Sequence, residues 1–229
     1  MRRAQKLGVF VPTQLSRLII DSVIKNVAKA GIVLDLGCGS GIGALSLIEA
    51  GKAVSPIYVS DVSAAAVEET MDNVRRTGVE VVGATGSLFE PWKEQKFDYV
   101  VSSVSAIAES LAEISPWYVG VPCETGEDGT LLTCRTLDEA PAHLYNGGVF
   151  FFAVATLSDR AKVLDNAHKR FEEVQLIGDK CWPLPDSMTQ DWGLLDDLQQ
   201  KGFIQLRKKF GMYFWMAEVF AARKVRKNE

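Results

Sequence analysis

The chain reads as an α/β protein, a mostly parallel seven-stranded sheet with helices on both faces. Three observations predict it. Strand-sized apolar runs alternate with helical stretches along most of the 229 residues. The first run, Val33-Leu34-Asp35-Leu36, stops in alternating glycines at Gly37, Gly39 and Gly41 and passes straight into a helical pattern. The second run ends on a carboxylate, Asp61, about twenty residues beyond that turn, as in nucleoside-binding βα units.

The elements follow in order. Leu15, Leu18, Ile19, Val23, Ile24 and Val27 recur at helical spacing over 14–29, with Thr13 as N-cap and Gly31 as stop. A strand over 32–36 leads through the glycine turn to a helix over 41–50. The next strand, 54–60, contains Pro56, which removes a ladder donor and predicts a bent or shortened strand. A helix over 63–76, stopped by Gly78, precedes strands at 79–83 and 97–102. The stretch 103–129 reads as irregular, and a loop of that length inside a compact α/β domain is usually functional. A helix over 131–144, a turn at Asn146-Gly147-Gly148 and an apolar strand over 149–155 come next. Then follow a helix over 158–170, a strand over 171–177, a proline-containing loop over 182–186, a helix over 191–201 and a last strand over 212–221. Residues 1–30 are read as an approach segment and helix packed on a single domain spanning 31–229.

Composition narrows the function. A hydrophobic fraction of 47% and a charged fraction of 24% are ordinary for a globular domain. A net charge of −4 gives no electrostatic footprint for a polyanion, so nucleic acid is disfavoured as a partner. Arg223, Lys224, Arg226 and Lys227 form a basic C-terminal patch, read as a solvated end. The four cysteines show no C-x-x-C pair and no histidine cluster, which excludes a zinc site and a disulfide framework and suits the cytoplasm. No leader and no membrane-length apolar run is read. A homodimer is compatible with the sequence.

The glycine turn selects the ligand. Glycine there gives positive φ and lets bare backbone approach a bound molecule. The spacing is G-x-G-x-G, with Ile42 where a dinucleotide fingerprint has its third glycine. Asp35 precedes the first glycine by two residues, and a carboxylate there repels a pyrophosphate but attracts an ammonium or a sulfonium. S-adenosylmethionine fits that charge.

Val33-Leu34-Asp35-Leu36-Gly37-Cys38-Gly39-Ser40-Gly41 resembles the first motif of the class I S-adenosylmethionine-dependent methyltransferases. The resemblance implies a Rossmann-like fold with an antiparallel last strand, and S-adenosyl-L-methionine as cofactor. It implies that Asp61 holds the ribose hydroxyls beside Val62; the alternative role for Asp61, an N-cap of the following helix, is one that Ser63 can fill. Gly86-Ser87-Leu88-Phe89-Glu90-Pro91 is similar to the G-D-L-F-E-P segment of the release-factor glutamine methyltransferase branch. That likeness puts Ser87 at the adenine amino group, with Leu88 and Phe89 flanking the ring. Phe10-Val11-Pro12 resembles the branch's approach segment, and Gly126-Glu127-Asp128-Gly129 its G-x-D-G turn.

The branch's Asn-Pro-Pro-Tyr motif is absent. Ser103, Val104, Ser105 and Ala106 stand in its place, and a serine cannot offer the paired donor and acceptor that grip a carboxamide. The reading is therefore a methyltransferase acting on N or O of a small molecule or short peptide. Ser103 and Glu124 are its catalytic candidates, and Trp117 and Tyr118 its substrate-binding ones. Ser103 also closes the list of cofactor-side residues with Phe10, Pro12, Asp35 and the three glycines. The alternatives are a silent methyltransferase-like scaffold module, or a protein N-methyltransferase of the glutamine branch.

Overall fold

The computed structural model describes residues 8–121 and 123–223. Seven strands form one path, in the order β3-β2-β1-β4-β5-β8-β6, and a short eighth, β7, pairs with β8 off that path. These are β1 (Val33–Leu36), β2 (Ile57–Asp61), β3 (Val81–Thr85), β4 (Phe97–Ser102), β5 (Leu144–Ala155), β6 (Glu173–Pro183), β7 (Arg207–Lys209) and β8 (Met212–Arg223). β1 to β5 are mutually parallel, while β8 runs antiparallel between β5 and β6. The order reverses between β1 and β4, which opens a crevice at the carboxyl ends of the strands.

Helices α1 (Gln14–Asn26), α2 (Ile42–Glu49) and α3 (Ala64–Arg75) share one face with the core formed by Ile19, Val23, Leu47, Val59, Val67 and Phe151. α1 starts in a capping box: Thr13 accepts the Ser16 amide and Ser16 accepts the Thr13 amide. On the other face α5 (Leu131–Glu139) and α6 (Arg160–Arg170) cover Phe97, Phe150, Phe152 and Leu137. α6 is tied to the sheet by Arg160, whose guanidinium binds both oxygens of buried Glu218 on β8.

Three expectations are corrected. The stretch 103–129 contains a helix, α4 (Glu109–Ile114), whose Leu111 and Ala112 are buried; six residues are too few for a periodic signal. Asn146-Gly147-Gly148 lies inside β5 as an irregularity, where the register with β4 shifts between Phe97 and Tyr99. Trp182 and Pro183 belong to β6, which pairs with β8 as far as Pro183↔Phe214. Proline is tolerated there because β6 is an edge strand. Pro56 does shorten β2, which begins at Ile57. Beyond the sheet, α7 (Trp192–Gln200) packs with α4 and the β6–β8 ends in a third core around Trp182, Trp215, Leu195 and Met188. The patch at Lys224, Arg226 and Lys227 lies outside the described residues.

Candidate cofactor and acceptor site

The glycine turn is built where three strand ends meet. Gly37, Gly39 and Gly41 have φ of +80°, +53° and +82°, which a β-carbon would strain. The amides of Gly37 and Cys38 donate to the Ser60 carbonyl at the end of β2, at 2.8 and 3.0 Å. Gly37 also packs on the backbone of Ser103, whose amide donates to the Leu36 carbonyl at 2.8 Å. From α3, Thr70 donates to the Gly39 carbonyl at 3.0 Å and Asn73 to that of Ser40 at 3.2 Å.

Asp61 bridges the turn and the next helix. Its carboxylate accepts the Gly39 amide at 3.0 Å on one oxygen and the Ser63 amide at 2.9 Å on the other. Ser63, not Asp61, caps α3, accepting the Ala66 amide. Two acceptor positions of a carboxylate are thereby used, and the rest remain for a ligand.

Asp35 is 1% exposed and accepts the Ala44 amide at 2.8 Å. Burial raises its pKa to about 7; the Ala44 bond opposes the shift and the negative charge of Asp61 adds to it. An opposite charge beside such a group favours its ionised form. Cys38 beside it is held as a neutral thiol, its pKa pushed up by burial and by Asp35.

One cavity of about 350 Å³ opens at this point. Its cofactor-side wall contains Phe10, Pro12, Asp35, Gly37 and Gly39, with Asp61, Val62, Ser87 and Leu88 along the rim and Ser103 at the β4 end. Val62 is 62% exposed, an apolar side chain left open at the rim. The approach segment crosses the glycine turn, with Phe10 against Gly39 and its ring 5.5 Å from that of Tyr118. Tyr118 and Glu124 also line the cavity, and the Tyr118 hydroxyl bonds to Ser105 and the Ala106 backbone.

Some expected residues are elsewhere. Gly41 does not line the cavity; it faces Thr70 of α3, so its lack of a side chain serves helix packing. Phe89 is in the core, stacked on His143 at 4.5 Å, and only Leu88 of that pair reaches the cavity. Trp117 is also withdrawn, its ring 5.2 Å from Trp215 in the third core. An indole adjacent to a buried aromatic cluster gains more from packing there than from facing water.

Other residues escaped the sequence reading. Thr13, Ser16 and Ile20 of the α1 start line the cavity, as do Leu132, Thr133, Phe152 and Ala155. Thr133 carried a signal: with Thr136, Leu137 and Ala140 it lies on the inward stripe of α5, where a hydroxyl calls for a partner. Gly43 was the fourth alternating glycine.

Residues 4–103 match the family model described as methyltransferase small domain. The release factor glutamine methyltransferase of Aquifex aeolicus (strain VF5) is 32% identical over 69% of this chain and 58% of its own length. The ribosomal RNA small subunit methyltransferase C of Alcanivorax borkumensis is 29% identical over 67% of this chain and 40% of its own. The chain thus spans about half the length of these relatives. Among solved structures, the T. thermophilus 16S rRNA N2 G1207 methyltransferase in complex with AdoMet and guanosine shares the fold at TM-score 0.56 and 17% identity, over 93% of this chain and 44% of that one. The E. cuniculi Mtq2–Trm112 complex, responsible for methylating the eRF1 termination factor, does so at TM-score 0.58 and 14% identity, over 95% and 99%. The expected Rossmann-like architecture is borne out. S-adenosyl-L-methionine is the cofactor of this family, and a bare-backbone turn between two carboxylates fits its cationic and ribose groups. Among the described residues no helix is long and apolar enough to cross a membrane.

Proposed function

We propose, for a chain whose residues 4–103 match the methyltransferase small domain model, that it transfers a methyl group from S-adenosyl-L-methionine to N or O of a small molecule or short peptide. One observation carries the proposal. The cavity that begins at the glycine turn and Asp61 continues to Ser103, Tyr118 and Glu124, so cofactor and acceptor halves are one space.

In this reading the amides and carboxylate at Gly37, Gly39 and Asp61 hold the nucleoside, Val62 and Leu88 flank its base, and ionised Asp35 faces the methionine end. S-adenosyl-L-methionine held there by Gly37, Gly39, Asp61 and Asp35 would supply an electrophilic methyl group to the acceptor, its sulfonium becoming a neutral thioether. What the chain must add is placement, since holding reactants in attack geometry supplies most of the acceleration such a displacement needs. Ser103 bounds the acceptor space and Glu124, exposed at its mouth, takes the acceptor's proton.

The silent-module reading draws on the absent clamp motif, but the continuity of the cavity from the glycine turn to Glu124 favours turnover. The glutamine-branch reading draws on the names of relatives, and Ser103, Val104, Ser105 and Ala106 weigh against it. Calorimetry with S-adenosyl-L-methionine and S-adenosylhomocysteine tests the cofactor half; micromolar binding, about −7 to −8 kcal/mol, is expected. Incubation of the protein and labelled cofactor with a cell extract tests the other half. Label in the small-molecule or peptide fraction is expected, and label on an intact release factor overturns the acceptor assignment.

A further inference from the structure

The charged side chains that line the cavity among the described residues are all acidic. Glu124 stands at its mouth and Asp35 and Asp61 behind it, and no lysine, arginine or histidine lines the cavity among the described residues. A phosphate or carboxylate entering would leave its water and meet, among the described residues, no side chain that compensates its charge. Leu132, Phe152 and Ala155 give the same cavity apolar lining.

A second observation points to a ligand. Thr133 is 3% exposed, lines the cavity, and its Oγ1 is buried without a hydrogen-bond partner. Buried hydroxyls are almost always paired, so an unpartnered one on a residue that lines a cavity points to a partner supplied by a ligand. Thr133 is in the first turn of α5, and the Leu131 amide opening that helix donates to the Thr125 carbonyl at 3.0 Å, which ties the helix start to the segment that carries Glu124. Thr125 in turn donates to the Ile107 carbonyl at 2.6 Å, which fixes the segment against the cavity wall.

We propose that the acceptor is an amine on an apolar stem, which enters as an ammonium against Glu124, donates a hydrogen bond to Thr133 Oγ1 and gives one proton to the Glu124 carboxylate. This deepens the methyltransferase reading and rests on it. An ammonium has three donors and no acceptor, which suits a wall of carboxylate and hydroxyl oxygens. The proton transfer leaves a neutral amine with a free lone pair and a protonated Glu124, and the acceptor becomes a nucleophile only in that form.

The test uses the full chain saturated with S-adenosylhomocysteine and three probes of matched shape, phenethylamine, 2-phenylethanol and phenylacetate, followed by saturation-transfer NMR and titration. Phenethylamine should bind at least fivefold more tightly than the alcohol, and phenylacetate more weakly than either. Glu124→Gln should lower phenethylamine affinity at least tenfold and leave 2-phenylethanol unchanged. Thr133→Val, nearly isosteric, should lower phenethylamine affinity at least threefold with an unfolding temperature unchanged or higher. Phenylacetate binding as tightly as phenethylamine overturns the proposal, as does phenethylamine affinity that is indifferent to Glu124→Gln. A lower unfolding temperature with unchanged amine affinity in Thr133→Val overturns the role of that hydroxyl. Failure of S-adenosylhomocysteine to bind is a different result, and sinks the methyltransferase reading itself.

Discussion

Gly43 lies so close to Asp35 that a β-carbon on it would stand 2.6 Å from the Asp35 carboxylate. The fourth alternating glycine therefore makes room for the buried acid at a position that also lines the cavity. Gly43→Ala should cost about 1–3 kcal/mol of stability through overpacking. It should also weaken S-adenosylhomocysteine binding, because Asp35 or α2 must shift. Chemical unfolding and calorimetry on the same variant check both; parent-like values in each would show that the packing is looser than the geometry requires.

Asp35 makes stability and cofactor affinity depend on pH in opposite directions. Its pKa rises from 3.8 in the unfolded chain to about 7 in the fold, so the native state binds the extra proton between those values. The contribution to stability is fully present below pH 3.8 and is lost as pH rises through about 7. A cationic ligand needs the ionised form, so affinity for S-adenosyl-L-methionine should climb as pH approaches 7 and then level off, with proton release on binding below it. Calorimetry in buffers of different ionisation enthalpy at pH 6 and 8 measures that proton. In Asp35→Asn both dependences should vanish; if the parent's profile persists, another group is titrating.

Asp61→Ala removes the acceptor of the Gly39 and Ser63 amides as well as the proposed ribose contact. Cofactor affinity should fall by about 1–3 kcal/mol, the usual loss for hydrogen bonds to a charged group. Gly41→Ala is the contrast: its β-carbon meets Thr70 at 2.9 Å, away from the cavity, at a φ of +82°. That change should lower the unfolding temperature first and affinity only through it. Equal behaviour of the two variants would mean that Asp61 acts only as a structural bridge.

Trp117 and Tyr118 are neighbours in sequence with different fates. Trp117→Ala should destabilise the third core by about 2–3 kcal/mol, less than a fully buried tryptophan, because the ring is half-buried. Tyr118→Ala should instead loosen the contact with Phe10 over the glycine turn and harm both acceptor turnover and cofactor retention. Unfolding temperature, turnover and S-adenosylhomocysteine affinity measured on each variant separate the cases; a Trp117→Ala variant that is stable but inactive reverses the assignment.

What the sequence by itself determined is what depends on local chemistry. The glycine turn required positive φ at Gly37 and Gly39, and the strand–helix alternation required a parallel sheet, so the crevice and the carboxylates at Asp35 and Asp61 were legible from spacing alone. Ser63 as the α3 cap and the shortening of β2 at Pro56 were legible for the same reason. Tertiary structure alone decided which side chains of a segment face the ligand. Leu88 and Phe89 differ by one residue, yet a φ of +50° at Leu88 turns it to the cavity while Phe89 stacks on His143. Trp117 joins Trp215, nearly a hundred residues later in the chain, through the antiparallel insertion of β8 between β5 and β6. Thr133 gained its unpaired hydroxyl only when α5 closed over the β4 and β5 ends. Side-chain direction in loops and the partners of buried groups are set by which distant surfaces meet. No periodicity within one segment encodes that.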